Sequence, residues 1–392
     1  MMHRLPGRRI RPALLAMLVS MNRLYRIVWD SSVTANIKEP YPDRKKPAGL
    51  PLTKISRQLI ISHSFMIPVL LFGVGEANAQ SINGYTNYTS PTSVSDGLQW
   101  QTTATVEVGS DVQVAPAADG TALNMAPPVD ADTSLWINGG NLNATGGLLM
   151  GKNSMLQIGG AQLGGLTSEQ SPSSGGVLTV GDIQTVSGAT DMHLWMFGSA
   201  TKATELNASN ITLTADNNDI WIDRPGESEP GADITVTGSM KVVNGSAGSF
   251  LLAGDSQLTV GKDLYLDTSN GSFLVSNESS TRGLTVGGDL TLTNNVTLSS
   301  DINSVSTAAG IYSAVVNVTG DINVLGNNSG NTGLQIINAG GAGVTTGGNF
   351  NISSTASGNT TTVIFGHSAK ITATDNINLQ SVSGGAINLY IG

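Results

Sequence analysis

One phrase recurs along the second half of the chain: aliphatic-x-aliphatic, then Gly or a small polar residue, then a further aliphatic. Its clearest copies are Leu258-Thr259-Val260-Gly261-Lys262-Asp263-Leu264 and Leu284-Thr285-Val286-Gly287-Gly288-Asp289-Leu290. The apolar residue after the turn marks each copy: Ile183, Ile211, Met240, Leu264, Leu290, Ile322, Phe350 and Ile377. Successive markers are 28, 29, 24, 26, 32, 28 and 27 residues apart, a mean of about 28. A constant phrase at a period of 20–50 residues is the mark of a repeat architecture, with turns absorbing the variation in length.

A second aliphatic phrase follows most markers by roughly ten residues, as a multi-strand repeat unit requires. It reads Leu194-Trp195-Met196-Phe197, Ile220-Trp221-Ile222, Phe250-Leu251-Leu252, Phe273-Leu274-Val275, Leu334-Gln335-Ile336-Ile337 and Val363-Ile364-Phe365. Each unit therefore holds three short strands: one before the Gly turn, one after it, and this third. No helical pattern lies between them to carry a crossover. The fold class that fits is all-β, a single-stranded parallel β-helix of about 28 residues per coil. Alternate aliphatics point inward and stack like on like, Thr and Asn face water, and Gly, Asn and Asp supply the corners. About eleven coils at ~4.8 Å each give a rod near ~50 Å long. A β-sandwich would instead show hairpin signals every ~8–12 residues and no long constant period.

Residues 178–392 carry these repeats, and residues 80–177 read as a less regular N-terminal capping region, with Pro116, Pro127 and Pro128 interrupting strand phrases such as Val106-Glu107-Val108 and Leu135-Trp136-Ile137. The chain has no cysteine, which excludes Cys-zinc and Fe–S sites. Of its 19 Lys and Arg, 12 precede Gln80, and of its 28 Asp and Glu, 4 do, so residues 80–392 hold 7 basic against 24 acidic groups, net −17. A surface this acidic repels phosphate backbones and argues against a nucleic-acid partner.

Ahead of Gln80 lies an export signal. Lys54 and Arg57 supply a basic start, Phe65 to Val74 an apolar core, and Ala77-Asn78-Ala79 the small residues of a cleavage site. The apolar run is too short to span a bilayer, so cleavage is expected between Ala79 and Gln80. The region ahead of the core is longer than an ordinary signal needs. Residues 21–79 form one extended signal, and residues 1–20 read as misassigned upstream sequence with Met21 the true start.

Residues 21–30 read Met21-Asn22-Arg23-Leu24-Tyr25-Arg26-Ile27-Val28-Trp29-Asp30. This stretch resembles the extended signal peptide region of autotransporters, the type V secreted proteins. Met21, Asn22, Arg23, Tyr25, Arg26 and Trp29 carry the match, with Asp30 in place of the usual Asn. The resemblance implies Sec export from a Gram-negative-type cell into the periplasm. An outer-membrane β-barrel translocator then places the passenger on the surface or outside. The chain stops at Gly392 with no barrel phrases, so the resemblance implies a truncated or split passenger whose translocator is missing or a separate chain.

Chemistry-bearing patterns are sparse. Gly254-Asp255-Ser256 echoes the nucleophile motif of serine-protease passengers, but it sits at a repeat turn, and the region after Gln80 offers only His193 and His367 as bases. Asp216, Asp219, Asp223, Glu227 and Glu229 form the densest acidic cluster; without a calcium-loop glycine pattern it reads as a solvated corner. Asp219, Asp223, Glu227 and Glu229 are the first candidates for a contact loop. Trp195 and Trp221 occupy equivalent third strands and are expected to meet, as packing or as a sugar platform. No cofactor or catalytic set emerges. The expected function is a surface-displayed or secreted adhesin or structural rod, binding a host surface or itself. The alternatives are a polysaccharide-acting β-helix enzyme and a non-functional fragment of a larger autotransporter.

Overall fold

A computed structural model of the protein describes residues 79–161, 163–164, 174–223, 230–267, 272–276, 282–294, 309–312, 315–326, 332–337, 343–354, 360–366, 370–381 and 386–391. Among the described residues there are 31 strands and no helix. Twenty strands form one sheet and eleven the other. Pairing between coils is parallel throughout, as in Leu258-Thr259-Val260 against Leu284-Thr285-Val286. The chain is a parallel β-solenoid.

The expected markers form one ladder. Ile183 pairs with Ile211, Ile211 with Met240, Met240 with Leu264, and the series continues through Leu290, Ile322 and Phe350 to Ile377. Every member to Phe350 is buried, and Ile377 is 51% exposed. A second ladder runs inside the eleven-stranded sheet from Val112 through Leu142, Leu178, Leu206 and Ile234 to Val344. A third joins Leu194, Ile220, Phe250 and Phe273; the last two rings stack at 5.4 Å and 25°. Side chains alternate in a strand, so each strand sends every second residue into the lumen.

The same ladders extend through the region read from sequence as an irregular cap. Leu98 pairs with Leu123, Leu123 with Leu148 and Leu148 with Ile183. Coil length hides this continuity in the sequence. Thr92 and Val112 are 20 residues apart across one coil, while Leu142 and Leu178 are 36 apart across another. A second departure concerns the three-strand unit. In Ile211–Asp223 and Met240–Ala253 the post-turn strand and the third strand run together as single strands of 13 and 14 residues. Buried asparagines serve the bend: Asn218 Nδ2 donates to Val243 O and to Asn244 Oδ1, both at 2.7 Å, and Asn244 Oδ1 also accepts from the Asn218 backbone N–H at 3.2 Å. These bonds satisfy backbone that would otherwise lose its partners where the register slips.

The Gly-Asp-aliphatic phrase has a direct cause. Asp263 Oδ1 accepts the backbone N–H of Asp289 at 3.0 Å, Asp289 Oδ1 that of Asp321 at 2.8 Å, and Asp321 Oδ1 that of Asn349 at 2.6 Å. Each carboxylate thus caps the turn of the next coil, where the strand ladder leaves an amide unpaired. The residue before the capped Asp or Asn must lack a side chain. A Cβ on Gly288 would lie 2.1 Å from Asp263 Oδ1, one on Gly320 2.1 Å from Asp289 Oδ1, and one on Gly348 2.1 Å from Asp321 Oδ1.

Substitutions at Asp289 and Gly320, singly and together, test this turn. Asp289→Ala should cost about 1 kcal/mol in urea unfolding, the worth of one lost hydrogen bond, while Asp289→Asn, which keeps the acceptor, should stay near the parent. Gly320→Ala should cost less in an Asp289→Gly background than in the parent, because the clashing carboxylate is gone. Strictly additive costs would refute the stacked-carboxylate account.

Candidate functional site

The most elaborate polar cluster lies outside the lumen, on the outward positions of neighbouring third strands. In Ala189–Phe197, Leu194 and Met196 point inward, so His193, Trp195 and Phe197 point outward. Register places His193 against Asp219 and Trp195 against Trp221, and the next coil sets Ser249 beside Asp219. Asp219 is the hub. Trp195 Nε1 donates to its Oδ2 at 3.0 Å, the Ser249 hydroxyl donates to its Oδ1, and His193 Nδ1 stands 3.6 Å from Oδ2. The last distance is too long for a hydrogen bond. Burial pushes the Asp219 carboxyl up, but His193, Ser249 and the Trp195 N–H together outweigh it and hold the group below its ordinary range.

Aromatic rings close over this hub. Trp195 meets His193, Phe197 and Trp221 edge to face, with centroids 5.3, 6.4 and 6.2 Å apart. The chain after Ile158 seals one side: Gly159 O accepts from Trp136 Nε1 and from Gln157 Nε2, both at 3.0 Å, and Gln157 Oε1 accepts from the Gly164 N–H at 2.9 Å. Trp195 is left 5% exposed. The two indoles lie at 74° to each other, so they offer no flat sugar platform. They pack, but on the outer wall of the coil.

The other sequence candidates fall as follows. Asp219 and Asp223 lie within the strand Ile211–Asp223 rather than in a corner loop, and Asp223 Oδ2 accepts from Trp221 Nε1 at 3.3 Å. Glu227 and Glu229 lie outside the described residues, as do His367, Ala77 and the export-motif residues Met21, Asn22, Arg23, Tyr25, Arg26 and Trp29. Ala79 is half-buried, and Gln80 opens the first described strand, its N–H donating to Gly97 O at 2.9 Å. Ser256 of the Gly-Asp-Ser triplet is fully buried, and its hydroxyl accepts the Ala232 N–H at 3.0 Å. Asp255 takes the turn with φ +65°, and Arg282 pairs with Asp233 and approaches Asp255 at 3.9 Å. Ser249 donates to the carboxylate rather than facing the imidazole, so Asp219 sits between serine and histidine. A nucleophile relay needs the histidine in the middle. Among the described residues no three His, Asp or Glu side chains converge as metal ligands.

One polar set was missed from sequence. The buried Glu107 takes the hydroxyl of Tyr85 and the amides of Asn87 at 3.2 Å and Asn138 at 2.5 Å. These residues sit 20 to 31 positions away along the chain, and only the coil register brings them together. The bond to Glu107 raises the Tyr85 phenol above its ordinary value, with burial adding to it.

No protein-family model matches the chain, and no curated protein or solved structure does either.

The depressed Asp219 carboxyl sets a pH dependence. A group whose folded value lies below its unfolded one adds stability above the unfolded value, and that stability drains away as pH falls through the folded one. Urea midpoints followed by indole fluorescence should therefore drop as pH falls below about 4. An Asp219→Asn variant should show a shallower drop. At neutral pH Asp219→Ala should cost about 2 kcal/mol, since the Trp195 N–H loses its acceptor under cover.

Proposed function

We propose that the chain is an exported passenger of autotransporter type, displayed on the cell surface or released, whose solenoid serves adhesion as a stiff rod. The observation that carries the reading is the sequence ahead of the solenoid. The apolar run from Phe65 to Val74 and the small residues Ala77-Asn78-Ala79 stand in that order before Gln80. A basic start, an apolar core and a small-residue cleavage site are what an exported passenger requires. The region beyond that point has no thiol, in keeping with a chain that crosses a membrane unfolded and uncrosslinked. Its partners under this reading are the Sec machinery, an outer-membrane β-barrel translocator, and a host surface or a second cell. Many weak contacts repeated along a rod sum by multivalency, so adhesion needs no deep pocket.

The polysaccharide-acting alternative calls for carboxylates on neighbouring coils, and Asp263, Asp289 and Asp321 do stack in that way. Each of the three gives an oxygen to the backbone of the next coil, which favours a structural role. Release of reducing ends from candidate polysaccharides by the purified protein would favour the enzyme instead.

The export reading makes two measurable claims. The mature protein should begin at Gln80, and an Ala79→Lys change should block processing and leave the precursor in the cell. Protease added to intact cells should digest the mature chain. A mature N-terminus elsewhere, or a product shielded from protease and absent from the medium, would sink it.

A further inference from the structure

The outer walls of the coil differ in how they use their polar groups. On the post-turn strands, amides satisfy one another: Asn351 Nδ2 donates to Asn323 Oδ1 at 2.9 Å, and Asn378 Nδ2 to Asn351 Oδ1 at 2.8 Å. On the third strands, Asp219 gathers its neighbours and rings cover them. The middle of the eleven-stranded sheet does neither, although at its flank Asn141 Nδ2 donates to Asp111 Oδ1 at 2.7 Å. Its middle outward position forms one continuous column, from Ser93 on the first rung through Thr179, Thr235 and Thr285 to Thr372 on the eleventh. The column holds six threonines, three asparagines, one serine and one glutamine, all exposed or half-buried. None is charged and none is aliphatic. Among these described side chains only Thr259 has a side-chain partner, accepting from Gln257 Nε2 at 3.2 Å. Among the described residues the rest of the column's side-chain hydrogen-bonding capacity has no side-chain partner.

The turn beside this column stays low, with Ser209, Thr237, Gly261, Gly287, Thr319 and Gly347 at its edge. Charge begins beyond that edge, where Asp263, Asp289 and Asp321 turn an oxygen each to the backbone of the next coil, and on the other flank at Asp111, Glu205, Asp233 and Lys370. On a chain with net charge −17 after Gln80, this uncharged strip is where a second acidic body can approach at least electrostatic cost.

Pitch selects the occupant. The rungs repeat every ~4.8 Å, and over eleven of them any partner with a different repeat drifts out of phase. A second copy of this chain has the same pitch by identity. Two such faces can interleave short polar side chains in the way paired cross-β sheets do. Ten intervals of ~4.8 Å by about four residues of ~3.3 Å make roughly 600 Å² a side, about 1,200 Å² in all. That is the lower end of what specific association needs.

We infer that the outer face of the eleven-stranded sheet is a homotypic contact: two copies pack face to face and antiparallel about a twofold axis at the Thr235 rung. Thr235 lies on the sixth of the eleven described rungs, so full overlap sets it against its own counterpart. Ser93 of one copy then meets Thr372 of the other. This contact goes beyond the surface-rod reading and stands on coil geometry alone. Failure of processing or surface exposure leaves it untouched, and its own failure leaves those assays untouched.

The cysteine-free chain makes the test direct. Full-length protein carrying Thr235→Cys should form a crosslinked dimer with a short bis-maleimide. Ser93→Cys and Thr372→Cys should fail to crosslink alone and crosslink when mixed. Sedimentation should show the parent passing from monomer to dimer with concentration. Thr235→Lys with Thr259→Lys should weaken that association tenfold or more, and Gln184→Lys on another wall should not. The unfolding midpoint of each lysine variant should match the parent, because outward exposed positions tolerate substitution. A parent that stays monomeric at on the order of 100 μM overturns the inference. So does a lysine pair that associates like the parent, or self-crosslinking at Ser93→Cys and Thr372→Cys without crosslinking at Thr235→Cys.

Discussion

Parallel, in-register stacking of one coil on the next is the constraint from which the rest follows. A strand here finds its hydrogen-bonding partners in the coils before and after it, as Ile234-Thr235-Val236 does against Leu206-Asn207-Ala208 and Leu258-Thr259-Val260. Backbone amides and carbonyls are obligatory hydrogen-bonding groups, so a coil without a neighbour would leave rows of them unpaired. Because stacking is in register, each position inherits the environment of its counterpart one coil away. Aliphatic must sit on aliphatic in the lumen, a one-residue slip would turn every inward side chain out, and a turn that approaches its neighbour closely must do so again. The Gly-Asp phrase is that last requirement written in residues. The carboxylate of one coil occupies the space that a Cβ of the next coil's glycine would fill.

The lumen and turns were legible in the sequence for this reason. Taking one apolar residue per phrase, from Ile183 to Ile377, reproduced seven consecutive register steps, because inward aliphatics after a Gly turn have one place to go. The coils before Leu178 escaped because their lengths swing between 20 and 36 residues and prolines punctuate them, so no fixed period survives. The Asp219 hub escaped for a subtler cause. His193 lies ten residues past its marker, Asp219 eight past its own and Ser249 nine, so no constant offset links three side chains that share one column. The register shift between Ala215 and Asn217 accounts for the step from Asp219 to Ser249, and the step from His193 to Asp219 follows from the break between Ile183–Thr185 and Ala189–Phe197, which the next coil lacks. Inward positions are fixed by stacking alone. Outward positions also depend on where each coil bends.

That asymmetry bears on function. The lumen constrains composition so strongly that it carries little information about partners, and any solenoid of this size needs similar ladders. The outer walls are released from that demand, and here the three of them have diverged. One is sealed by indoles, one links its own amides, and one presents a column of hydroxyls and amides with few partners among the described residues. Sealing has a physical benefit of its own. The Trp195 and Trp221 rings shield the Asp219 hydrogen bonds from water, and a shielded bond to a charged group is stronger than an exposed one. The cluster thereby ties neighbouring coils together by side chains as well as by backbone.

The distribution of charge gives the final step. Seven basic and 24 acidic groups after Gln80 make the solenoid repel its own kind at long range, and at physiological salt that repulsion decays within about 8 Å. Two copies therefore meet only if some wall lets them come closer than that without burying charge, since an unpaired buried carboxylate costs far more than a neutral hydroxyl. On the wall that carries the Thr and Asn column, the column itself is uncharged on all eleven described rungs. Bulk acidity and a neutral strip are then complementary features. The first keeps copies apart in most orientations, and the second leaves one orientation in which each rung adds a small gain. Weak gains repeated at a shared pitch select for alignment rather than for strength at any one site, which is how a surface without a pocket can still be specific.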